Sequence, residues 1–323
     1  MQPLQKLLNK LNGLHYQQEY LCLAKEPFQN PIHAYFVSDG HVIKDITNEH
    51  LFTGYSPLIF TLISSDLKEP FSKIEMFFSQ RSLQPNDLFK KRDALAWLSL
   101  RLIQKQKIGD NEIYYYKGIR GQHHFLSFFH QYIIGLNNQV YNRKKENVFL
   151  NNALYKQVQI AYSIPRIISL ITVGSGGLYN LFPTDLHGPV NEQYYVSSLR
   201  HGGKACKQVE NAGRIVISQV HTDVYKMAYA LGKNHMQELK PKENFFFSES
   251  LSSVFKLPLP KSLLSYRELE LVGSFDHGIH KLLLYKIISS QVVSKDPSTL
   301  AHIHNCYATW RHRKGLPGNY LVR

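Results

Sequence analysis

The second half of the sequence consists mainly of short β-rich runs separated by turn residues, and this pattern restricts the fold more than any other feature. The predicted strands cover residues 166–173, 178–183, 194–199, 215–220, 269–273 and 282–288. Only short helical segments are predicted between them, over residues 205–212 and 223–231. Many short strands with turns between them are typical of a β-sandwich or barrel rather than of an alternating βα fold. We therefore expect a mainly β fold in this half.

A polar segment over residues 137–152 is the best candidate for a domain boundary. It contains six asparagines and the basic run Arg143-Lys144-Lys145, and it has few apolar residues. A chain of 323 residues is long enough for two domains. We expect an α+β domain of unknown role over residues 1–150, and a barrel domain with a C-terminal tail over residues 151–323.

The first half shows signals for both strands and helices. Asp39-Gly40 lies between β-rich runs at 33–37 and 41–46, which predicts a hairpin. Further strands are predicted over residues 58–63, 74–78 and 113–116. The spacing of Leu88, Leu95, Leu98 and Leu102 predicts a helix that continues to about Lys107. A helical apolar stripe, expected in a core or an interface, is formed by Phe125, Phe128, Phe129, Tyr132, Ile133, Leu136 and Val140.

Cysteine content and charge limit the cellular setting and the partners. Cys22, Cys206 and Cys306 are an odd number of widely spaced cysteines, so we expect no disulfide framework and a cytoplasmic protein. The sequence has neither a signal peptide's apolar region nor a run of apolar residues long enough to span a membrane, so we expect no membrane partner. The formal net charge of +14 favours anionic ligands. Nucleic acid remains a minor alternative because no known nucleic-acid motif is present.

The segment from Tyr194 to Val209 carries the clearest chemical signal. A strand ends at Arg200-His201-Gly202-Gly203-Lys204, and a short helix follows. Glycine turns let main-chain N–H groups converge on an anion, and a helix N-terminus adds partial positive charge. Arg200 and Lys204 add full charges. The pattern predicts a phosphate site, although a tight turn with solvated basic side chains would have the same sequence.

Together with its flanks, this segment resembles the flavin reductase-like, FMN-binding split-barrel family over roughly residues 155–290. The resemblance lies in the order and spacing of four stretches, 165–173, 180–183, 198–205 and 213–218, and of a late strand at 278–287. It implies a six-stranded antiparallel barrel that binds FMN at a homodimer interface and uses NADH or NADPH as co-substrate. In such proteins the strand matching Asn180, Leu181, Phe182, Pro183 and Thr184 lies along the isoalloxazine ring. The turn matching Ser198, Arg200, His201, Gly202, Gly203 and Lys204 holds the phosphate.

The late strand departs from the family pattern. Ile279 replaces a usual Asp or small polar residue, and Tyr285 stands near a usual glycine. His280 is the candidate catalytic residue, in contact with the nicotinamide or the flavin edge, although an ordinary surface histidine would fit the pattern as well. Two hypotheses follow: an NAD(P)H-dependent flavin oxidoreductase, and a non-catalytic flavin- or haem-binding module whose basic first half docks onto another macromolecule.

Two other patterns have weaker functional interpretations. Gly174-Ser175-Gly176-Gly177 follows a strand, but the sequence continues as another strand, which disfavours a dinucleotide-binding fold. His302, His304, Cys306 and His312 have side chains that bind zinc, and alternation would put the first three on one strand face. Their spacing matches no known zinc motif, so we expect this segment to pack against protein and predict no metal site.

Overall fold

A computed structural model describes residues 11–24, 32–64, 71–108, 111–141, 150–296, 298–316 and 319–321. The chain divides into two compact units. Unit 1 comprises residues 1–21, 27–165 and 303–317, and unit 2 comprises residues 22–26, 166–302 and 318–323. Residues 152–161 and 303–317 therefore group with the first half of the chain. Each unit is described separately below.

The first part of the chain builds one antiparallel sheet of seven strands in unit 1. The strand β1 (Tyr20–Ala24) comes first in the chain and is not part of this sheet. The seven strands of the sheet are β2 (His33–Ser38), β3 (His41–Asp45), β4 (His50–Tyr55), β5 (Leu58–Ser64), β6 (Lys73–Ser79), β7 (Ala96–Ile108) and β8 (Asn111–His123). Their order across the sheet is β3-β2-β6-β7-β8-β5-β4. The predicted hairpin and the strands near residues 58, 74 and 113 are confirmed.

The predicted helix over residues 88–107 is wrong, because β7 occupies most of that range. Ala96, Leu98 and Leu100 are buried, whereas Trp97 and Ser99 between them are partly exposed. This alternation has the period of two that a strand requires. The leucine spacing fits a helix as well, but pairing with β6 and β8 on either side satisfies the backbone as a strand.

Two helices complete the described part of unit 1 before the chain enters unit 2. They are α1 (Phe128–Tyr141) and α2 (Asn152–Ala161). The α2 helix packs on β7 and β8. Its close approach depends on Gly121 in β8, where a Cβ atom would lie 2.7 Å from Leu98 Cδ2 and 2.8 Å from Ile160 Cδ1. Cβ atoms in proteins almost never come so near another heavy atom, so a residue with a Cβ atom at position 121 would force its neighbours to move.

The α1 helix confirms the predicted helical stripe but not its burial. Phe128, Phe129, Tyr132, Leu136 and Val140 are between 43% and 77% exposed. Helical geometry places these side chains along one face of α1. The expectation of a core position is therefore wrong for these five residues, and the alternative of an interface stays open.

Unit 2 is built on an antiparallel sheet of eight strands. Thirteen strands are described from residue 166 onward, and eight of them form this sheet. The thirteen are β9 (Arg166–Ile167), β10 (Ser169–Ser175), β11 (Leu178–Thr184), β12 (His187–Pro189), β13 (Tyr194–Arg200), β14 (Arg214–Val220), β15 (Lys240–Pro241), β16 (Phe247–Leu251), β17 (Pro258–Pro260), β18 (Leu263–His277), β19 (His280–Val292), β20 (Leu300–His304) and β21 (Asn319–Leu321). The sheet order is β12-β13-β19-β18-β14-β10-β11-β15. Six long strands thus lie between two short edge strands. The mainly β fold expected from the sequence is confirmed.

The described helices of unit 2 are short. They are α3 (Lys204–Ala212) and α4 (Tyr225–Ala230), with 3₁₀ turns at Thr222–Val224, Leu231–Met236 and Lys242–Asn244. The helix α5 (Asn305–Arg313) follows in the chain and belongs to unit 1. The predicted helix after Gly203 is confirmed, with Ala205 and Val209 buried. Gly213 ends it in the left-handed conformation, at φ +65°, as a C-terminal glycine commonly does.

The central core of unit 2 lies between the sheet and α3. Its buried members are Ile171, Val173, Phe182, Tyr195, Leu199, Ala205, Cys206, Val209, Ile215, Ile217, Leu269, Leu283 and Tyr285. Cys206 fills space there as a small apolar residue, as expected. Tyr285 also packs here, and its hydroxyl group lies 3.1 Å from Ser197 Oγ. Among the described helices, none has the length and apolar character needed to cross a bilayer.

Candidate functional site

The candidate phosphate site is the turn between β13 and α3. The amide of His201 donates to Ile279 O at 3.1 Å, and that of Gly203 donates to Arg200 O at 3.1 Å. Gly203 is the N-cap of α3 and has no side chain to accept hydrogen bonds from the helix. The first N–H groups of a helix have no partner within that helix. The turn therefore directs main-chain donors and a positive helix end at its surroundings.

The two glycines of this turn have different surroundings. A Cβ on Gly203 would lie 3.2 Å from His235 O and 3.3 Å from Arg200 O, so this position is closely packed against main chain. A Cβ on Gly202 would meet no protein atom within 4 Å. Gly202 is also exposed. Open space thus lies next to the N-terminus of α3, where an anion could bind.

The cationic side chains of the turn have carboxylates nearby. Lys204 Nζ lies 2.7 Å from Glu238 Oε1, and His201 Nδ1 lies 3.6 Å from Asp276 Oδ1. Arg200 is exposed. Burial of His235 is the main cause of its lowered pKa, and the positive charge of Arg200 lowers this pKa further. Lys204 and Arg200 therefore both interact with the segment 235–238. The turn is rich in cations, and an anion there would compete with Glu238 for Lys204.

His280 opens β19 directly beside this turn, where it pairs with Arg200 across the strands. Its Nδ1 lies 3.1 Å from Ser198 Oγ. Burial, with smaller contributions from Arg200 and His201, lowers the pKa of His280 to about 3. The ring is therefore neutral at physiological pH. Because His280 is only 2% exposed, contact with a nicotinamide would require the ring to become accessible.

The strand predicted to lie along a flavin ring, residues 180–184 of β11, is buried apart from Pro183. Phe182 belongs to the central core, and Leu181 packs in a second core on the opposite face. Asn180 Nδ2 donates to Gln208 Oε1 at 2.7 Å and to Asn234 O at 3.0 Å. The side chain of Asn180 is thus hydrogen-bonded inside unit 2, and Thr184 is likewise buried.

Two residues that the sequence analysis missed cover the outer edge of β11. Asn234 Nδ2 donates to Leu181 O at 2.8 Å, and His235 Nε2 donates to Pro183 O at 2.8 Å. Both come from the 3₁₀ turn Leu231–Met236, some fifty residues further along the chain. A polar Lys-Asn-His run after Gly232 was the only sequence signal. Their hydrogen bonds occupy carbonyl groups that a flavin ring on this edge would face.

A hydrogen-bonded chain of polar side chains lies next to the end of β11. His302 Nδ1 donates to Asp185 Oδ2 at 2.8 Å, so His302 Nε2 can accept from the Tyr229 hydroxyl group at 2.7 Å. The Cys22 thiol donates to the same Tyr229 oxygen at 2.8 Å. Asp185 also influences the pKa values of His235 and His280, so this chain borders the candidate site.

The C-terminal histidine and cysteine residues do not form one ligand set. Within the described residues there is no group of three or more His, Cys, Asp or Glu side chains that could hold a metal ion. The strand β20 ends at His304, and Cys306 lies in α5, so the expected alternation along one strand face is wrong. His304 is buried, and its Nε2 lies 3.6 Å from Glu19 Oε1. The segment packs against protein, as expected.

The site thus combines a helix N-terminus, open space and cations with neutral buried imidazoles. This donor set suits a phosphate group, because phosphate needs N–H donors and positive charge. Burial lowers the pKa of His187 to about 4, which leaves that ring neutral beside Tyr195. An anion could therefore bind at residues 200–204, whereas the carbonyl groups of Leu181 and Pro183 on the edge of β11 already accept hydrogen bonds from Asn234 and His235.

No family model and no curated protein matches this sequence. Solved structures similar to the chain include flavin reductases and FMN-binding proteins. The flavin reductase component BorF of a bacterial two-component tryptophan halogenase is 12% identical, with a TM-score of 0.42 over 52% of this chain and 98% of that chain. An FMN-binding protein from Thermus thermophilus with bound p-hydroxybenzaldehyde is 16% identical, with a TM-score of 0.38 over 42% of this chain and 81% of that chain.

A third similar structure is the NADH:FAD oxidoreductase SgcE6 of Streptomyces globisporus C-1027. It is 12% identical, with a TM-score of 0.39 over 47% of this chain and 89% of that chain. All three similarities are at low identity and extend over about half of this chain.

Proposed function

We propose that the protein is an FMN-binding flavoprotein that holds the cofactor's phosphate at residues 200–204. The observation that carries this proposal is the uncapped N-terminus of α3 beside the open space at Gly202. Arg200 and Lys204 add positive charge to the main-chain donors. A phosphate monoester carries close to two negative charges at neutral pH and would accept hydrogen bonds from several donors at once.

The finer proposal is a flavin oxidoreductase that uses NADH or NADPH. Bound FMN would supply the hydride-transfer chemistry, and the protein would bind and orient it. In this proposal Ser198 holds the neutral ring of His280 beside Arg200. Ring contacts from residues 180–184 would require Asn234 and His235 to release the carbonyl groups of Leu181 and Pro183. We further propose a cytoplasmic homodimer, and the thiols of Cys22, Cys206 and Cys306, which form no disulfide bond in the structure, fit a reducing compartment.

A comparison of FMN with riboflavin tests the phosphate site directly, because the two ligands differ only in the phosphate group. We expect the purified protein to bind FMN at least about tenfold more tightly than riboflavin, since charge-assisted hydrogen bonds are the stronger class. Flavin fluorescence measures both affinities. Arg200→Ala should weaken FMN binding and leave riboflavin binding nearly unchanged. Gly202→Asp, which introduces negative charge into open space, should act in the same direction.

Lys207→Ala is the matched control, because Lys207 is an exposed cation on α3 beyond its first residues. It should reduce FMN affinity much less than Arg200→Ala does. Equal affinity for FMN and riboflavin would contradict the phosphate site. Absence of binding to either flavin would contradict the flavoprotein as a whole.

A non-catalytic flavin-binding module is a second candidate function. The burial of His280 and the covered edge of β11 favour it, because both restrict access of a nicotinamide to a bound flavin. The same FMN-loaded protein separates the two candidates. Steady oxidation of NADH or NADPH supports the oxidoreductase, and bound FMN without turnover supports the module.

A further inference from the structure

The α1 helix has an inverted distribution of polar and apolar side chains. Its inward face carries Ile134 and Asn138, both buried, and Asn138 Nδ2 donates to Leu150 O at 2.8 Å. Gln131 on the same helix donates to the main chain at His123 and Leu126. The outward stripe consists of Phe128, Phe129, Tyr132, Leu136 and Val140. A helix that turns its polar groups inward and its aromatic groups outward leaves a large apolar face largely exposed.

The described segments next to α1 carry basic side chains and no acidic ones. The sequences of α1, α2 and α5, of residues 11–16 and of residues 124–127 contain no Asp or Glu. Arg313 and Lys314, at the end of α5, are exposed. Arg313 Nη2 donates to Gly13 O at 2.6 Å, and a Cβ on Gly13 would lie 2.6 Å from His130 Cδ2 in the first turn of α1. The basic end of α5 therefore lies alongside α1.

From this combination we propose that α1 is a docking surface for an anionic lipid bilayer. This proposal replaces the expectation of no membrane partner, which considered only segments that enter or cross a membrane as a continuous apolar run. An apolar, aromatic-rich helix face with cations beside it is the arrangement by which helices lie in the interface of a membrane. The helix would lie parallel to the surface, with its stripe among the acyl chains near the headgroups. Its 14 residues span about 21 Å.

A bilayer explains the surface better than a second copy of the chain does. Pairing two α1 stripes would bring together two surfaces whose neighbouring charged groups, Arg313 and Lys314, are cations, with no carboxylate on these elements to compensate. Like charges in proximity are unfavourable. Anionic headgroups provide the missing negative charge, and acyl chains provide the apolar contact, so both features of the surface are matched by one partner.

Vesicle co-sedimentation of the full chain tests the proposal. We expect binding to vesicles that contain phosphatidylserine in phosphatidylcholine, and much weaker binding to phosphatidylcholine alone. Binding should weaken as salt concentration rises. Phe128→Ser combined with Phe129→Ser should reduce binding at least about tenfold, because two large apolar groups no longer enter the bilayer. Lys314→Ala should reduce it about fivefold.

The control is Val292→Ser combined with Val293→Ser, which changes two exposed apolar residues of unit 2. It should bind vesicles as the unchanged protein does. Equal binding to neutral and anionic vesicles, or no binding to either, would overturn the proposal. Self-association that disappears in the Phe128 and Phe129 variant, measured by sedimentation without vesicles, would assign the stripe to a second copy of the chain instead.

Discussion

At the scale of single residues, Glu268 is a buried carboxylate of unit 2 that accepts several hydrogen bonds. It lies in β18 with no exposed surface. The Ser253 hydroxyl group donates to it at 2.6 Å, and the amides of Val254 and Phe255 donate at 2.9 Å and 2.6 Å. Burial alone would raise the pKa of Glu268, but these hydrogen bonds outweigh burial and lower it. The ionised carboxylate therefore fixes the turn between β16 and β17.

Glu268→Gln should destabilise the protein by about 1–3 kcal/mol at pH 7, because an amide cannot accept from all of these donors. A carboxyl group with a lowered pKa in the folded state stabilises the protein above its unfolded-state pKa, and this contribution is lost as the pH falls through the folded-state value. The difference between the two proteins in urea unfolding should therefore shrink towards acidic pH. Glu270→Gln, at an exposed position of the same strand, should have little effect at any pH.

At the scale of secondary-structure elements, the distance between α2 and β8 is set by the missing side chain at Gly121. Leu98 and Ile160, the two residues that a Cβ atom would meet, are fully buried and have little room to move. Gly121→Val should destabilise the protein by about 1–3 kcal/mol through overpacking, even though valine favours strands. Ile119→Val, at an exposed position of the same strand, should leave the unfolding midpoint nearly unchanged.

Elements with strictly local signals could be predicted from the sequence, and those decided by distant partners could not. The turn at residues 200–204 and the helix ending at Gly213 follow from glycine positions alone. The strand β7 shows the limit, because its leucines fit both a helical and an alternating pattern, and pairing with β6 and β8 decides between them. The outward orientation of the α1 stripe likewise depends on what Ile134 and Asn138 contact.

The same limit applies to the candidate site. Arg200 and His280 could each be named as candidates from the family resemblance, but their direct pairing across β13 and β19 is known only from the structure. Asn234 and His235 could not be assigned to the edge of β11, since they lie in a 3₁₀ turn without a regular pattern. Hydrogen bonds from single side chains to the edge of a strand produce no repeating pattern in a sequence.

At the scale of the whole molecule, each of the three cysteines is buried in one of the two units, so its reactivity can be used to follow the unfolding of that unit. Cys306 is buried in unit 1, and Cys22 and Cys206 are buried in unit 2. Burial and the neighbouring Glu210 carboxylate raise the pKa of Cys206 to about 11, which further slows its reaction as a thiolate. We expect no thiol to react rapidly with a disulfide reagent in the native protein.

Denaturant should then expose the cysteines in two groups, because each unit has a core of its own. Mass spectrometry of peptides after pulsed alkylation measures labelling at each position. Labelling of Cys306 should follow one unfolding curve, and labelling of Cys22 and Cys206 should follow another. A single curve for all three thiols would indicate that the units unfold as one cooperative block.

The division of the chain also determines when each unit can be completed during translation. Unit 1 needs residues 303–317, whose helix α5 buries Cys306, Tyr307 and Trp310, and unit 2 includes β21, which pairs with β1. A nascent chain on the ribosome therefore contains all seven strands of the unit 1 sheet long before α5 has been made. A chain that stops before residue 303 would lack both α5 and β21, so neither unit would be complete.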